Sequence, residues 1–341
     1  MQEARLYEKL DGARVLCHLC AHRCTIADGK RGICQVRENR GGVLYSLVYG
    51  LSISQAVDPV EKKPLFHFHP GSKAFSFAAV GCNFRCAFCQ NWQISQMLRD
   101  GGQVDGHEAS PAHLASAASH YGCRSIAYTY TEPTIFFEYA YDTAVRASHL
   151  GIKSIYVTNG YMTGEMLEAF GSHLHAANVD LKAFTEEFYH KTCGASLQPV
   201  LDAIRSMKHR GIWVEITTLL VPGMNDSEAE LRDLAGWVAR EAGADTPWHV
   251  SRFHPDYKLL DRGSTPAAAL HRAREIGLEA GLRYVYEGNL PGADGENTYC
   301  YNCHNLLIRR YGFGVLENLI LLGSKCPFCG VVIDGVGLFN T

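Results

Sequence analysis

The chain has 341 residues, 47 % apolar and 20 % charged, with a net charge of −3 from 32 basic and 35 acidic side chains. This composition excludes a disordered or fibrous chain and offers a nucleic-acid partner no general positive field. The start, MQEARLYEKLDGARVL, lacks the basic flank and apolar run of a secretory signal, and no apolar run reaches the ~18 residues of a membrane span, so a cytoplasmic protein without membrane contact is expected.

The 13 cysteines are expected to bind metal rather than form disulfides in such a compartment. Cys17, Cys20, Cys24 and Cys34 come first, with His18 and His22 among them as rival ligands. This group suits zinc or a second iron–sulfur cluster. Residues 35–73 hold short strand-like pieces and the proline-bearing run DPVEKKPLFHFHPG, which reads as a connection across the surface.

From about residue 74, apolar strand-like runs alternate with helix-period segments. The strands are AFSFAAV, SIAYTY, KSIYVTN, NVDLKAF, WVEITTLLV, WHVSRF and RYVYEG, and helices are expected around 110–121, 132–149, 164–175, 198–209, 227–242 and 266–280. Near-continuous apolar strands alternating with helices predict a parallel sheet of βα units, here an open or partial (β/α) barrel of roughly seven strands, with a closed eight-stranded barrel as the alternative. Chemistry on either fold belongs to loops after the C-terminal strand ends.

One such loop is GCNFRCAFCQNW, where Cys82, Cys86 and Cys89 follow the first of these strands. Three thiolates on one tight loop can ligate three corners of an iron–sulfur cube and leave one iron open to a substrate. The alternative is a zinc loop that borrows a distant ligand. Near the C-terminus Cys300 and Cys303, then Cys326 and Cys329, form two knuckles spaced as in a zinc ribbon. A closed four-thiolate site suits zinc or a single rubredoxin-like iron, and structural stapling is its default role. Cys123 and Cys193 remain, and read as small buried apolar residues, with contact to substrate or the radical site as the alternative.

With these residues in view, GCNFRCAFCQNW and the strands around it resemble the radical S-adenosylmethionine superfamily over roughly residues 70–290. The resemblance implies a partial (β/α)6-type barrel with small cysteine-rich modules at both termini. It also implies a [4Fe–4S] cluster on Cys82, Cys86 and Cys89 whose fourth iron binds S-adenosylmethionine, and reductive cleavage of that cofactor to a 5′-deoxyadenosyl radical that abstracts hydrogen from a substrate.

Tyr130, Thr131 and Glu132 resemble the glycine-glycine-glutamate element that receives the methionine amino group in pyruvate formate-lyase activating enzymes. Thr131 stands where that element has glycine, so only backbone and Glu132 contacts carry over. Thr158, Asn159 and Gly160 are similar to an element near the ribose. Asp180 and Lys182 alternate onto one strand face and suit ribose hydroxyls and the methionine carboxylate, or form a plain ion pair. His254, in RFHP, points at substrate or caps the barrel.

Together, CHLCAHRC, DPVEKKPLFHFHPGS, GCNFRCAFCQNW, SIAYTYTEPTIFFEYA, YVYEGNL, CYNC and CPFCG resemble the radical enzymes of the AmmeMemoRadiSam system, related to those activating enzymes. That likeness implies Memo-like and AMME-type partners and an electron donor such as flavodoxin or ferredoxin. It divides the chain into residues 1–69, a barrel over 70–292 and a metal module over 293–341. Three activities follow as expectations: hydrogen abstraction from an unidentified substrate, activation of a glycyl radical enzyme, or a metal-stapled binding protein without catalysis.

Overall fold

The computed structural model describes residues 1–290, 292 and 294–339. Eight strands form its main sheet: β1 (Ser54–Pro59), β2 (Lys73–Ala78), β3 (Ser125–Tyr128), β4 (Lys153–Thr158), β5 (Ala176–Asp180), β6 (Trp213–Leu220), β7 (Trp248–Arg252) and β8 (Val285–Gly288). They lie in sequence order from one edge to the other. β2 to β8 are mutually parallel, and β1 runs antiparallel to β2. The edge strands β1 and β8 do not pair with each other, so the sheet is open. The seven parallel strands are those read from the sequence. They make this barrel one parallel strand larger than the six-stranded form, and β1 is an addition.

Helices α1 (Pro111–His120), α2 (Phe137–His149), α3 (Gly164–Phe170), α4 (Gln198–His209), α5 (Glu228–Trp237) and α6 (Ala267–Glu279) alternate with the parallel strands. Several begin where a short polar side chain can satisfy a free backbone donor: Ser110, Thr163 and Ser227 accept from the amides of His113, Met166 and Glu230. Thr265 does not cap α6. Its hydroxyl donates to the Leu220 carbonyl and accepts from the Phe253 amide, which ties the end of β6 to the chain leaving β7.

The two faces of the sheet have different residues because they have different tasks. The outer face carries Phe75, Phe77, Ile126, Tyr128, Tyr156, Val214, Ile216 and Val250, all buried in one core with the helices. The inner face is small near β2 and β3, with Ala74, Ser76, Ala78 and Ala127, and polar near β5 to β7, with Asn178, Glu215 and His249.

What fills the inner face is the run read above as a surface connection. Val60, Leu65 and Phe68 are buried in one cluster with Ala74, Ala127, Ile155 and Ala176, from β2 to β5. Asn178 on β5 donates to the Pro64 carbonyl at 2.8 Å, and the Glu215 carboxylate on β6 accepts from the Phe66 and His67 amides at 2.9 and 2.8 Å. His67 also reaches Tyr286 on β8. One ten-residue segment thus touches strands β2 to β8, so the sheet curls around it, and residues 60–69 plug the barrel. Its prolines and charges look surface-like, but the plug's exposed backbone amides find a buried carboxylate that only the tertiary fold supplies.

The terminal modules clamp this core. Arg310, from the hairpin strands Leu306–Tyr311 and Gly314–Asn318, donates to the Phe66 carbonyl at 2.9 Å and pairs with buried Glu61 at 3.7 Å. On the N-terminal side, Arg37 pairs with Glu138 of α2 at 2.5 Å, both side chains essentially excluded from water.

His67 gives this interlock a pH signature. Its Nδ1 lies 2.6 Å from the Asp334 carbonyl, which can only accept, so Nδ1 carries the proton and Nε2 accepts from the Tyr286 hydroxyl at 2.5 Å. Burial lowers its pKa from 6.5 to about 4. Between those values the unfolded chain binds a proton that the folded chain refuses, so stability is full above the unfolded value and declines as pH falls toward the folded one, by about 1.4 kcal/mol per pH unit. Unfolding curves at pH 7.5 and 5 should show this slope in the parent and a flatter one in His67→Asn; equal slopes would remove His67 from the account.

Candidate active site

The loop after β2 begins at Gly81, whose φ is +95° and where an added Cβ would lie 2.8 Å from Val36 and 3.0 Å from the Cys34 carbonyl. Only glycine fits there. The loop that follows is held from three directions. Arg99 donates to the carbonyls of Phe84 and Cys82 at 2.7 and 2.9 Å, Asn159 donates to the Asn83 side chain at 2.8 Å, and the amides of Arg85 and Ala87 donate to the Cys193 and Thr192 carbonyls. Cys82, Cys86 and Cys89 emerge from this scaffold onto one wall of a cavity of about 500 Å³ in the mouth of the barrel. Burial first, then the Glu132 carboxylate, pushes the Cys82 thiol well up, and the adjacent Cys193 thiol, followed by burial, does the same to Cys86. Their thiolate forms therefore arrive with a metal, which displaces the protons on binding.

The spacing of the sulfurs separates this loop from the C-terminal group. Four thiolates around one ion at a metal–sulfur distance of ~2.3 Å stand about 3.8 Å apart in a tetrahedron. Cys300 and Cys329 are 3.7 Å apart, as are Cys303 and Cys326, and all four sulfurs fall within 4.8 Å of one another. Among the described residues no other set of three or more cysteine, histidine or acidic ligands meets that limit. The C-terminal group fits a single tetrahedral ion. Cys82, Cys86 and Cys89 are too dispersed for one ion and suit a cube in which each sulfur meets a different iron.

The rest of the cavity is polar. Asn159, Asp180 and Lys182 line it, and Lys182 pairs with Asp180 at 3.0 Å. Asn225 fixes this strand end by donating to the Lys182 carbonyl at 2.6 Å. Tyr130, Thr131 and Glu132 line it too, but their side chains serve the scaffold. Tyr130, at φ +65°, donates to Asp58, and Thr131 donates to the Ala79 carbonyl at 2.7 Å. The Glu132 carboxylate accepts from the Thr134 amide and hydroxyl, the Thr158 hydroxyl and the Asn159 amide, tying the end of β3 to the end of β4. What this element turns toward a ligand is mainly backbone.

His254 does not join the others. It is exposed, bonded to Ser264 at 3.0 Å and absent from the cavity wall, because the chain has already left β7 and turned outward before reaching it. Of the two histidines among the N-terminal cysteines, His18 turns away from their pocket and His22 stays on its wall. His18 bonds Arg23 at 2.6 Å, and His22 places Nε2 2.9 Å from the Asn83 carbonyl. Cys17, Cys20, Cys24 and Cys34 do converge, on a small pocket shared with Arg37. Cys123 and Cys193 are both buried, Cys123 as a small core residue and Cys193 against the Cys86 thiol, beside the cysteine loop.

Several wall residues escaped the sequence reading. Asn178, two residues before Asp180, faces the cavity and leaves its buried Oδ1 without a partner, an acceptor free for a ligand hydroxyl or ammonium. Continuing the alternation from Lys182 and Asp180 back to Asn178 would have found it. Thr217 and Ser251 are polar residues at inward positions of apolar strands and carry the same signal. Lys63 on the plug forms the floor; burial lowers its pKa, and the ion pair with Asp58 at 2.7 Å opposes that shift. Phe313, at the tip of the C-terminal hairpin, reaches the same cavity from residues remote in sequence.

Because an ion on the four cysteines would staple the hairpin that Arg310 locks to the plug, losing it should loosen both. Cys326→Ser is expected to release one metal equivalent without changing acid-labile sulfide and to cost at least about 3 kcal/mol in stability. Metal and sulfide counts beside a melting curve check this; loss of sulfide would mean that the group belongs to a cluster.

Residues 78–235 match the radical SAM superfamily. An uncharacterized protein of Methanocaldococcus jannaschii, MJ0808, is 48 % identical over 335 residues, covering 98 % of this chain and 99 % of that protein. The pyruvate formate-lyase-activating enzyme of Clostridium pasteurianum is 23 % identical over 204 residues, 56 % of this chain and 84 % of that one. Among solved structures, a radical SAM methyltransferase from Sphaerobacter thermophilus aligns with a TM-score of 0.50 at 15 % identity, over 67 % of this chain and 71 % of that one, a likeness of fold. No helix among the described residues is long and apolar enough to cross a membrane. The chain therefore belongs to one family with the M. jannaschii protein and carries, on its open barrel, the radical SAM superfamily domain.

Proposed function

We propose that this chain is an enzyme that binds a [4Fe–4S] cluster on Cys82, Cys86 and Cys89 and S-adenosylmethionine beside it, and that it abstracts hydrogen from a substrate not yet identified. The observation that carries this is three cysteines on one wall of a polar cavity in the barrel mouth, their sulfurs outside the spacing of a single ion and the fourth nearby thiol, Cys193, behind Cys86 rather than on that wall. When bound, the two groups supply a one-electron cleavage of the sulfonium C–S bond, yielding methionine and a 5′-deoxyadenosyl radical.

The chain's own residues do the rest. Three thiolates leave one corner of the cube open. Lys182 offers an ammonium for a carboxylate, Asp180 accepts from hydroxyls, and the Asn178 oxygen takes a further donor. The plug seals the barrel from below and the Phe313 hairpin narrows it from above, limiting the water that would quench a radical.

The partners implied by the AmmeMemoRadiSam likeness, Memo-like and AMME-type proteins with a flavodoxin or ferredoxin as electron donor, belong to this proposal. The second reading, activation of a glycyl radical enzyme, draws on the similarity to the C. pasteurianum activating enzyme, which spans most of that protein. The deciding assay is anaerobic reconstitution with iron and sulfide, reduction with dithionite and measurement of 5′-deoxyadenosine from S-adenosylmethionine. Product above the protein-free control supports catalysis; none from a fully clustered protein leaves the metal-stapled binding protein.

A further inference from the structure

We infer that Cys17, Cys20, Cys24 and Cys34 hold an iron–sulfur cluster of their own rather than a single zinc ion. The four cysteines line one pocket, so their grouping in sequence is also a grouping in space. No three of their sulfurs fall within the 4.8 Å limit that the Cys300 group meets. In the same molecule, then, one four-cysteine group is drawn to tetrahedral distances and the other is held apart. A single ion at ~2.3 Å from each sulfur would require the N-terminal four to collapse, whereas a cube spreads its ligands because every cysteine binds a separate iron.

The pocket is also built for a negative occupant. Arg37 lines it with its side chain 1 % exposed. Its Nη2 is bonded to Glu138 and its Nε to the Ile135 carbonyl, but its buried Nη1 has no partner. An unsatisfied buried donor of a charged group is costly unless a ligand takes it, and a sulfide or thiolate of a cluster is an anionic acceptor of suitable size. Apart from His22, the remaining wall is apolar, with Leu19, Ile26, Ile33 and Ile135, as suits a group that hydrolyses in water. His18 is committed to Arg23, and His22, which also lines the pocket, donates its Nε2 proton to the Asn83 carbonyl, so the four cysteines supply the anionic ligands.

The pocket adjoins the Cys82 loop. One Arg99 nitrogen, Nη2, donates to both the Ile33 carbonyl and the Cys82 carbonyl, at 2.8 and 2.9 Å. The Cys34 carbonyl packs on Gly81, and His22 bridges from the pocket wall to Asn83. The segments that carry the two cysteine groups are thus bridged by single side chains, whereas the Cys300 group belongs to the hairpin module at the other end of the chain.

The test uses the full chain with the first cluster removed. The Cys82→Ala, Cys86→Ala, Cys89→Ala variant is reconstituted anaerobically and assayed for iron, zinc and acid-labile sulfide, the last of which no single-ion site contains. About four sulfides per chain should remain if the cluster is a cube, and adding Cys20→Ala and Cys34→Ala should remove them while the Cys300 metal stays. A triple variant without labile sulfide, whether it takes up a second zinc or nothing, overturns the inference. Should that variant fail to fold, Cys20→Ala with Cys34→Ala in the otherwise intact chain gives the same decision: sulfide falls by half if two cubes were present and is unchanged if the group never held one. The count is independent of whether S-adenosylmethionine is cleaved, so it stands apart from the activity proposed above.

Discussion

Replacing Cys86 by alanine is expected to lower 5′-deoxyadenosine formation by at least about 1,000-fold, equivalent to roughly 4 kcal/mol of lost transition-state stabilisation, while the protein stays folded. The two effects separate because the loop does not depend on this thiol. Arg99, Asn159 and the carbonyls of Thr192 and Cys193 hold it by contacts that alanine leaves in place. Removal of the sulfur takes one of three anchors from the cluster, and two anchors cannot define which corner faces the cavity. The measurement is product formation beside iron and sulfide content, with the Cys300 metal and the melting temperature as controls for folding. An active Cys86→Ala protein with a complete cluster on this loop would refute the three-cysteine assignment.

Glu215 should give the largest effect on stability. Its carboxylate accepts the amides of Phe66 and His67, the Trp213 indole and the His249 ring, at 2.7 to 3.0 Å, in a wholly buried site. Glu215→Ala leaves two plug amides without an acceptor and is expected to cost roughly 3–5 kcal/mol. Glu215→Gln should cost nearly as much, although it is almost the same shape. Each carboxylate oxygen serves one plug amide, so either orientation of the new side chain sets its NH2 against an N–H. His249 can change tautomer to relieve its own contact, but a backbone amide cannot. Denaturant unfolding of both variants tests this. A nearly neutral Glu215→Gln would mean that packing of Leu65, Phe66 and Phe68, rather than the carboxylate, holds the plug.

A defect at Glu215 should also reach the cavity, since Lys63 and Pro64 of the same segment form its floor. The chemistry at the top of the barrel and the seal at its base are therefore linked through ten residues that carry little secondary structure beyond the single turn Val60–Lys62.

How much of this the amino acids disclose by themselves depends on the range of the interaction. The alternation of apolar-rich strands with helices identifies all seven parallel strands, because the face each strand packs on its helices must be apolar along its own length, and the cue is local. The Cys82 loop is legible for the same reason: its three cysteines lie within eight residues, and the structure sets them on one cavity wall. Asp180 and Lys182 followed from the two-residue period of a strand. Other features needed the folded chain. The plug was misread because its hydrogen-bond partners, Glu215, Asn178 and Tyr286, lie more than 100 residues away. His254 was read by its nearness to a strand end, but the direction in which the chain leaves β7 decides where it points. Spacing in sequence also could not distinguish the two four-cysteine groups, since ligand count is a property of the sequence and the distance between sulfurs is not. That distance is set by the packing of each module against its neighbours, and it draws the Cys300 group together while holding the Cys17 group apart.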